Sequence, residues 1–243
     1  MNDGTAAEET RITPPESGAD FNPIEDVIYR RRSVRYYKDK QVPEYLVRRL
    51  LETARFGPTA GNSQPWKFIV VREPSMIAEM SEDVLKTCRR VMWFFDYITP
   101  GKEGREWRAR LLSRFLPNMC HPVPYGAMNL MAEGKLGVWH GAPTVILILV
   151  DTRCPGHPAI DAGIAGDNLV LTAHSYGLGT CWVSFVTALA FQWKWRRRLG
   201  IRHPYQLLTS IAVGYPRGNP DGYVTRETTA VDWYEDHTMK VVY

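Results

Sequence analysis

The apolar residues along the chain follow helical and strand-like spacings in turn. Helical spacing predicts helices in five segments, at 23–32, 43–57, 74–90, 158–176 and 189–200. Asn22 followed by Pro23 is typical of a capped helix start with proline in the first helical position. Short apolar runs predict strands or extended segments at 66–72, 143–151, 180–186 and 207–216. This interleaving of strands and helices predicts an α/β or α+β sandwich.

One predicted helix and one connection differ from the rest. Residues 158–176 are small and apolar on most faces, which predicts a helix buried on several sides, in a large core or a subunit interface. Residues 92–140 hold many aromatic residues with several Pro and Gly, and a helical piece near 104–116. Because a connection of this length is unusual in a compact domain, we expect an insertion with a function of its own.

Charge is unevenly distributed along the chain. The whole chain of 243 residues has a net charge of +4, whereas residues 1–22 carry five acids and one base and therefore a net charge of −4. This N-terminal stretch is poor in apolar groups, so we expect a disordered acidic tail. The remainder, 23–243, is predicted to form a single domain with a net charge of +8. A basic surface attracts nucleic acid, membranes or small anions, and charge alone does not choose among them.

The sequence argues against several functional classes. The four cysteines form no C-x-x-C pair, which argues against zinc, an iron–sulfur cluster or a disulfide framework and fits a reducing cytoplasm. Cys181 lies in an apolar run and is interpreted as a small core residue. The six histidines show no metal-ligand spacing, and the fingerprints of dinucleotide, P-loop, serine-hydrolase and zinc-protease sites are absent. The longest apolar run, 143–151, is too short to span a bilayer, so we expect no membrane partner.

Three clusters of residues could bind a ligand. The first holds Arg31, Arg32, Ser33 and Arg35, whose guanidinium groups suit the bidentate geometry of a phosphate. The second, 57–66, is an irregular loop whose amides can donate and accept hydrogen bonds along the edge of a pyrimidine-like ring. The third, 177–184, is a turn in which glycine permits close approach of a ligand to the backbone. Taken singly, each cluster is equally compatible with a solvated helix end or a plain turn.

The clusters lie within longer segments, which are RRSVRYYKDKQVP, ARFGPTAGNSQPWKFIVV and DAGIAGDNLVLTAHSYGLGTCWV, and AVGYP follows them. Together these segments resemble the nitroreductase family of FMN-dependent oxidoreductases. The resemblance covers about residues 24–230, apart from 92–140. It implies an α+β fold, a three-layer α/β/α sandwich that forms a domain-swapped homodimer with FMN at the interface.

The resemblance also implies roles for particular residues. Arg31 and Ser33 would hold the FMN phosphate with Arg32 beside them, while Arg35 would approach the N1/O2 side of the flavin. The remaining cofactor-binding candidates by match are Pro58, Thr59, Asn62, Gln64, Asp161, Trp182, Val183, Ser184 and Arg226. The backbone at Val183 and Ser184 would face flavin N5, and Arg226 would complete the phosphate site. The carboxylate of Asp161 would repel a reduced flavin, which counts against giving Asp161 the cofactor-binding role that the family has at this position.

The implied activity is ping-pong reduction of an electron-poor aromatic acceptor, a nitroaromatic or quinone, by NADH or NADPH through FMN. No side-chain nucleophile or general base is required. The aromatic-rich stretch 92–140 suggests a lid over a planar substrate, although its aromatics could equally fill a local core. Substrate-binding candidates there and nearby are Trp93, Tyr97, Arg108, Tyr125 and Trp139.

Other functions remain open at this point. Family members also include reductive dehalogenases, oxidases and dehydrogenases. A non-catalytic flavin-binding module would bind FMN without oxidising NAD(P)H. A nucleic-acid binder would use the basic runs at 30–35 and 194–198, but no recognised nucleic-acid module is present, so we expect no nucleic-acid partner.

Overall fold

The computed structural model describes residues 21–95, 114, 122–219, 231–235 and 238–241. The chain divides into two compact units, one formed by Arg32–Asn219 and the other by Met1–Arg31 with Pro220–Tyr243. The predicted tail at 1–22 and single domain at 23–243 remain predictions. The part of the chain that the structure describes contains no helix that is both long and apolar enough to cross a membrane.

Helices account for much of the described chain. They are α1 (Pro23–Arg30), α2 (Glu44–Ala54), α3 (Pro74–Phe95), α4 (Pro122–Ala132), α5 (Pro158–Ser175) and α6 (Trp193–Arg198). Two 3₁₀ helices span Ala60–Asn62 and Ser184–Phe191. The helix α2 buries one face, at Leu46, Val47, Leu50 and Ala54. The helix α5 is buried at seven positions, which all lie on one half of its circumference. Burial on several sides is therefore not observed among the described residues of this chain, and burial of the other half in a subunit interface remains a prediction.

The larger unit is built on a four-stranded antiparallel sheet. Its strands are β1 (Trp66–Val71), β2 (Thr144–Asp151), β3 (Gly179–Trp182) and β4 (Tyr205–Gly214), and they lie in the order β1-β2-β4-β3. The continuous apolar run predicted as a buried strand is therefore the central strand β2, which is nearly buried along its whole length.

Two hydrophobic cores lie on opposite faces of this sheet. Along β2, Val145, Leu147 and Leu149 belong to one core, whereas Ile146, Ile148 and Val150 belong to the other, because successive side chains of a strand point to opposite faces. The first core also contains residues of α3, α4 and α6, and the second contains residues of α2 and α5. Helices thus cover both faces of the sheet, which confirms the predicted α+β fold.

The smaller unit contains the described terminal segments. In α1 the Asn22 side chain accepts hydrogen bonds from the Ile24 and Glu25 N–H groups, and the Glu25 carboxylate accepts one from the Asn22 N–H. This capping box confirms the helix start predicted at Asn22 and Pro23. A two-stranded hairpin follows near the C-terminus, with β5 (Asp232–Glu235) and β6 (Thr238–Val241).

The structure differs from the sequence-based prediction at several boundaries. The first helix ends at Arg30 because Arg31 adopts an extended backbone, with φ −62° and ψ 136°. The extended segment predicted at 180–186 stops at Trp182, and a 3₁₀ helix begins at Ser184. The helix from Pro74 continues to Phe95, and α4 and the hairpin β5–β6 were not predicted. The helical piece predicted at 104–116 lies outside the described residues, apart from Arg114.

Candidate functional site

Part of the basic cluster is paired with the strand β3. The Val34 N–H donates a 2.8 Å hydrogen bond to the Thr180 carbonyl, and Ser33 pairs with Thr180 in an isolated parallel bridge. A Cβ at Gly179 would lie 2.7 Å from the Val34 side chain, so glycine is required for this close approach. The structure thereby brings the Ser33–Val34 part of the first cluster together with the third cluster.

Tyr37 fixes the backbone of the basic cluster through a hydrogen bond from its side chain. Its hydroxyl donates a 2.7 Å hydrogen bond to the Val34 carbonyl, and its ring is buried. Burial, assisted by Cys181, raises the pKa of Tyr37, so the phenol stays protonated and remains a donor. The Lys38 N–H donates to the Tyr215 carbonyl and holds the far end of the segment. As a result the backbone of this segment is held by hydrogen bonds at Val34 and Lys38, and Ser33 and Arg35 are both exposed to solvent.

Arg35 supplies a cation that no described acid neutralises. It makes no ion pair with any residue that the structure describes. His140 lies near it, half-buried and in a left-handed conformation with φ 54°. Burial, with a further contribution from the Arg35 guanidinium, holds the pKa of His140 below its ordinary value. The imidazole is therefore neutral near pH 7, and the site keeps an unpaired positive charge that suits an anionic ligand.

The loop of the second cluster is held in an irregular conformation. Asn62 and Gln64 have φ values of 54° and 46°, which few non-glycine residues adopt. The Gln64 N–H donates to the Thr59 hydroxyl at 3.2 Å, and the Gln64 amide nitrogen donates to the Asn62 side chain at 3.2 Å. The buried Ser63 hydroxyl has no hydrogen-bond partner among the described residues. A strained loop with exposed amides and an unsatisfied hydroxyl is the pattern expected of a ligand-binding segment.

Asp161 connects this loop to α5. The Asp161 side chain is buried, and its carboxylate accepts a long hydrogen bond of 3.4 Å from the Ala60 N–H. A Cβ at Gly57 would lie 3.2 Å from the Ala165 nitrogen, so the start of the loop also packs closely on α5. These contacts give Asp161 a role in placing the loop. Its predicted contact with the cofactor stays a prediction.

The turn at 182–184 packs against the same helix. A Cβ at Gly166 would lie 2.2 Å from the Trp182 ring, so the indole lies directly on the backbone of α5. Val183 is buried, and its N–H donates a 2.8 Å hydrogen bond to the Ser210 carbonyl. Ser184 is exposed and begins a 3₁₀ helix, so its N–H has no partner within that helix. The helix α5 therefore supports both the second and the third cluster.

The remaining predicted site residues are placed less fully. Arg31 is the C-cap residue that follows α1 in the smaller unit. Pro58 is exposed in the loop, and Arg32 is half-buried with interactions of its own. Trp93 is largely exposed near the end of α3. Tyr97, Arg108 and Arg226 lie outside the described residues, as does the side chain of Tyr125.

Trp139 is not placed as a substrate contact. It is 1% exposed in the core, and its indole N–H donates to the Ser210 hydroxyl at 3.0 Å. Trp139 therefore fills a local core, which was the second interpretation of the aromatic residues at 92–140. Sequence reasoning also missed Ser210, although two adjacent hydroxyl residues, Thr209 and Ser210, in an otherwise apolar strand were a visible signal.

No metal site is formed by the described residues, which contain no group of three or more His, Cys, Asp or Glu side chains suited to a metal ion. Cys181 is buried in β3, as its interpretation as a core residue predicted. The arrangement as a whole offers an unpaired guanidinium, exposed amides and a free backbone donor. Such groups bind an anionic, hydrogen-bonding ligand, and no nucleophile–base pair stands among them.

Comparison with known proteins identifies the family. The Nitroreductase family profile matches residues 28–215. A 4-nitrobenzoate reductase from a Nocardioides species is 30% identical over 201 residues, which are 78% of this chain and 79% of that protein. Pig (Sus scrofa) iodotyrosine deiodinase 1 is 24% identical over 202 residues, covering 79% of this chain and 60% of that protein.

A solved structure shows the same fold. The crystal structure of a nitroreductase with bound FMN from Desulfitobacterium hafniense matches with a TM-score of 0.64 and 22% identity, over 87% of this chain and 100% of that chain. The protein is an oxidoreductase of the nitroreductase class. The chain belongs to the nitroreductase family, and this membership confirms the resemblance predicted from its sequence.

Proposed function

We propose that the chain binds FMN and uses NADH or NADPH to reduce an electron-poor aromatic acceptor, a nitroaromatic or a quinone, by a ping-pong mechanism. The observation that carries this proposal is the contact between Val34 and Thr180. It holds the segment that carries Ser33 and Arg35 against the strand β3, which leads to the exposed Ser184 two residues after the strand ends. This arrangement supports a flavin site in which phosphate-binding and ring-binding groups would lie at one sheet edge.

The residues present fit FMN. The Arg35 guanidinium, which has no acidic partner among the described residues, suits the flavin edge on which negative charge accumulates during reduction. The exposed amides of Asn62 and Gln64 suit the donor and acceptor edge of the pyrimidine ring. When bound, FMN supplies the hydride chemistry, and the protein supplies binding and orientation. Phosphate contacts from Arg31, Ser33 and Arg226 belong to this proposal.

The electron donor and acceptor follow from the family. Relatives include a protein named 4-nitrobenzoate reductase, which supports a nitroaromatic acceptor. A ping-pong cycle needs one face of the flavin to serve the donor and then the acceptor, and the solvent exposure of Ser184 is compatible with such an open face. The net charge of +8 on residues 23–243 favours the phosphates of the dinucleotide.

A reductive dehalogenase is the second candidate, since the chain also resembles iodotyrosine deiodinase 1. The two activities are separated by supplying a nitrobenzoate and an iodophenol to the reduced protein without oxygen. Release of iodide would select the dehalogenase, and oxidation of NAD(P)H by the nitro compound alone would select the nitroreductase. A flavin-binding module without catalysis would respond to neither.

We also propose that the protein is a homodimer that exchanges terminal segments. The helix α1 buries none of its residues, and Ile24 is 70% exposed. In the hairpin, Trp233 and Tyr234 are also exposed. Apolar surface of this kind is normally covered in a stable assembly. The predicted domain limits, the lid at 92–140 and a cytoplasmic location belong to the same proposal.

Light scattering tests the dimer. The native protein is expected to have twice the mass of one chain, and Trp233→Glu is expected to shift it towards the monomer because a charge would enter the covered apolar surface. Asp232→Asn, in the same exposed strand, serves as the matched control and should leave the mass unchanged. A monomeric native protein would contradict the proposal.

Flavin binding is tested with a double variant. The purified protein should show flavin absorbance, which NADH or NADPH bleaches in the absence of oxygen and an acceptor restores. Arg31→Ala with Ser33→Ala should weaken FMN binding at least about tenfold, because charge-assisted hydrogen bonds to a phosphate contribute about 1.5–3 kcal/mol each. Arg48→Ala with Ser75→Ala, both exposed positions, is the control. A colourless protein that takes up no added FMN refutes the function.

A further inference from the structure

A buried chain of hydrogen bonds lies directly behind the turn at Val183. The Trp139 indole N–H donates to the Ser210 hydroxyl at 3.0 Å, and that hydroxyl donates to the Val183 carbonyl at 2.7 Å. The Ser210 N–H donates to the same carbonyl at 3.2 Å. All three residues are at most 5% exposed. Because an indole N–H can only donate, the direction of the whole chain is fixed.

This chain acts on the peptide group that carries the Ser184 N–H. The Val183 carbonyl and the Ser184 N–H belong to one planar peptide, in which they point in opposite directions. Two hydrogen bonds to the carbonyl therefore fix the direction of the N–H away from the core, at an exposed residue. Consecutive hydrogen bonds also polarise one another, which makes the N–H a stronger donor.

We propose that Ser210 and Trp139 are positioning residues that hold and polarise the Ser184 N–H as a donor to flavin N5. The inference rests on the proposed function, which places that N–H at the flavin. In oxidised flavin N5 has a lone pair that accepts a hydrogen bond, whereas in reduced flavin N5 carries a hydrogen. The chain therefore stabilises bound oxidised FMN more than bound reduced FMN, and it lowers the midpoint potential of the cofactor.

The inference is tested by measuring the dissociation constants of oxidised and of dithionite-reduced FMN for the full-length protein. Ser210→Ala should weaken binding of oxidised FMN about threefold and leave that of reduced FMN unchanged. A threefold increase in the ratio of the dissociation constant of oxidised FMN to that of reduced FMN raises the midpoint potential of the two-electron couple by about 14 mV. Trp139→Phe, which keeps most of the ring volume, should act in the same direction with a smaller change.

The double variant shows whether the two residues act in series. Because Trp139 contacts the carbonyl only through the Ser210 hydroxyl, Trp139→Phe with Ser210→Ala should change the ratio no more than Ser210→Ala alone. Equal and additive changes would contradict a chain. Should Ser210→Ala not fold, the same ratio is measured for Trp139→Phe instead. An unchanged ratio in Trp139→Phe then overturns the proposal.

Thr144→Ala is the matched control for a purely structural effect. Thr144 is also fully buried, lies in the neighbouring strand β2, and donates its hydroxyl proton to the Gln41 side chain at 2.7 Å. It should lower stability and leave the ratio of the two dissociation constants unchanged. An unchanged ratio in Ser210→Ala, with wild-type FMN binding intact, overturns this inference alone. A wild-type protein that binds no FMN overturns the proposed function and this inference with it.

Discussion

Replacing Gly166 by alanine should destabilise the protein, although alanine is normally the better helix former. The new Cβ would lie 2.2 Å from Cη2 of Trp182 and 3.1 Å from Cδ1 of Ile148. Carbon atoms in contact are about 3.5–4.0 Å apart, so the ring or the helix must move by more than about 1 Å. Overpacking of this kind costs about 1–3 kcal/mol. The gain in helix propensity, about 1 kcal/mol, offsets part of it.

Gly163→Ala, one turn earlier in the same helix, provides the control. A Cβ there has no contact within 4 Å among the described residues outside its own helix backbone, so the variant should keep the propensity gain of about 1 kcal/mol. The free energies of unfolding of the two variants, measured by urea denaturation, should therefore differ by about 1–3 kcal/mol. For a chain of this size each kcal/mol corresponds to about 2–4 °C in Tm. Equal stability of the two variants would refute the close contact between α5 and Trp182.

Four further predictions concern the basic cluster and the residues around it. Gly179→Ala should weaken FMN binding, because the added Cβ collides with Val34 and displaces the basic cluster, and fluorescence titration with FMN measures this. Tyr37→Phe should lower the free energy of unfolding by about 1 kcal/mol, since the Val34 carbonyl loses a buried donor, and urea denaturation checks it. The lowered pKa of His140 means that the unfolded chain binds the proton more readily. Stability should therefore fall as the pH drops below the unfolded value of about 6.5, and His140→Asn, which tolerates positive φ, should flatten that decline in unfolding measured from pH 5 to 8. Arg35→Gln should raise the pKa of His140, as followed by NMR. An unchanged pKa would contradict the electrostatic effect of Arg35 on His140.

Local signals in the sequence were sufficient for most of the fold. The apolar run of β2 predicted a buried strand because no polar residue interrupts it, and the structure adds that it has one core on each side. Asn22 and Pro23 predicted a helix start because capping depends on neighbouring residues alone. The short apolar run after Trp182 was ambiguous, since a run of that length does not distinguish extended from helical backbone.

The candidate site was predictable only in part. Ser33, Arg35 and Ser184 were named from their segments, and the structure brings those segments together through Val34 and Thr180. The closeness of Asp161 to the loop at Ala60, and of His140 to Arg35, joins residues about a hundred positions apart. Such contacts have no signature in the spacing of either segment.

The sequence by itself determined the helices, the strands, the basic cluster and the family, because each is encoded by residues close together in the chain. Only the tertiary structure decided that Trp139 fills the core and that Ser210 lies behind the Val183 carbonyl. These positions depend on strand register and on which side chains meet across the sheet. Both are fixed by packing of the whole unit, and therefore by residues distant in sequence.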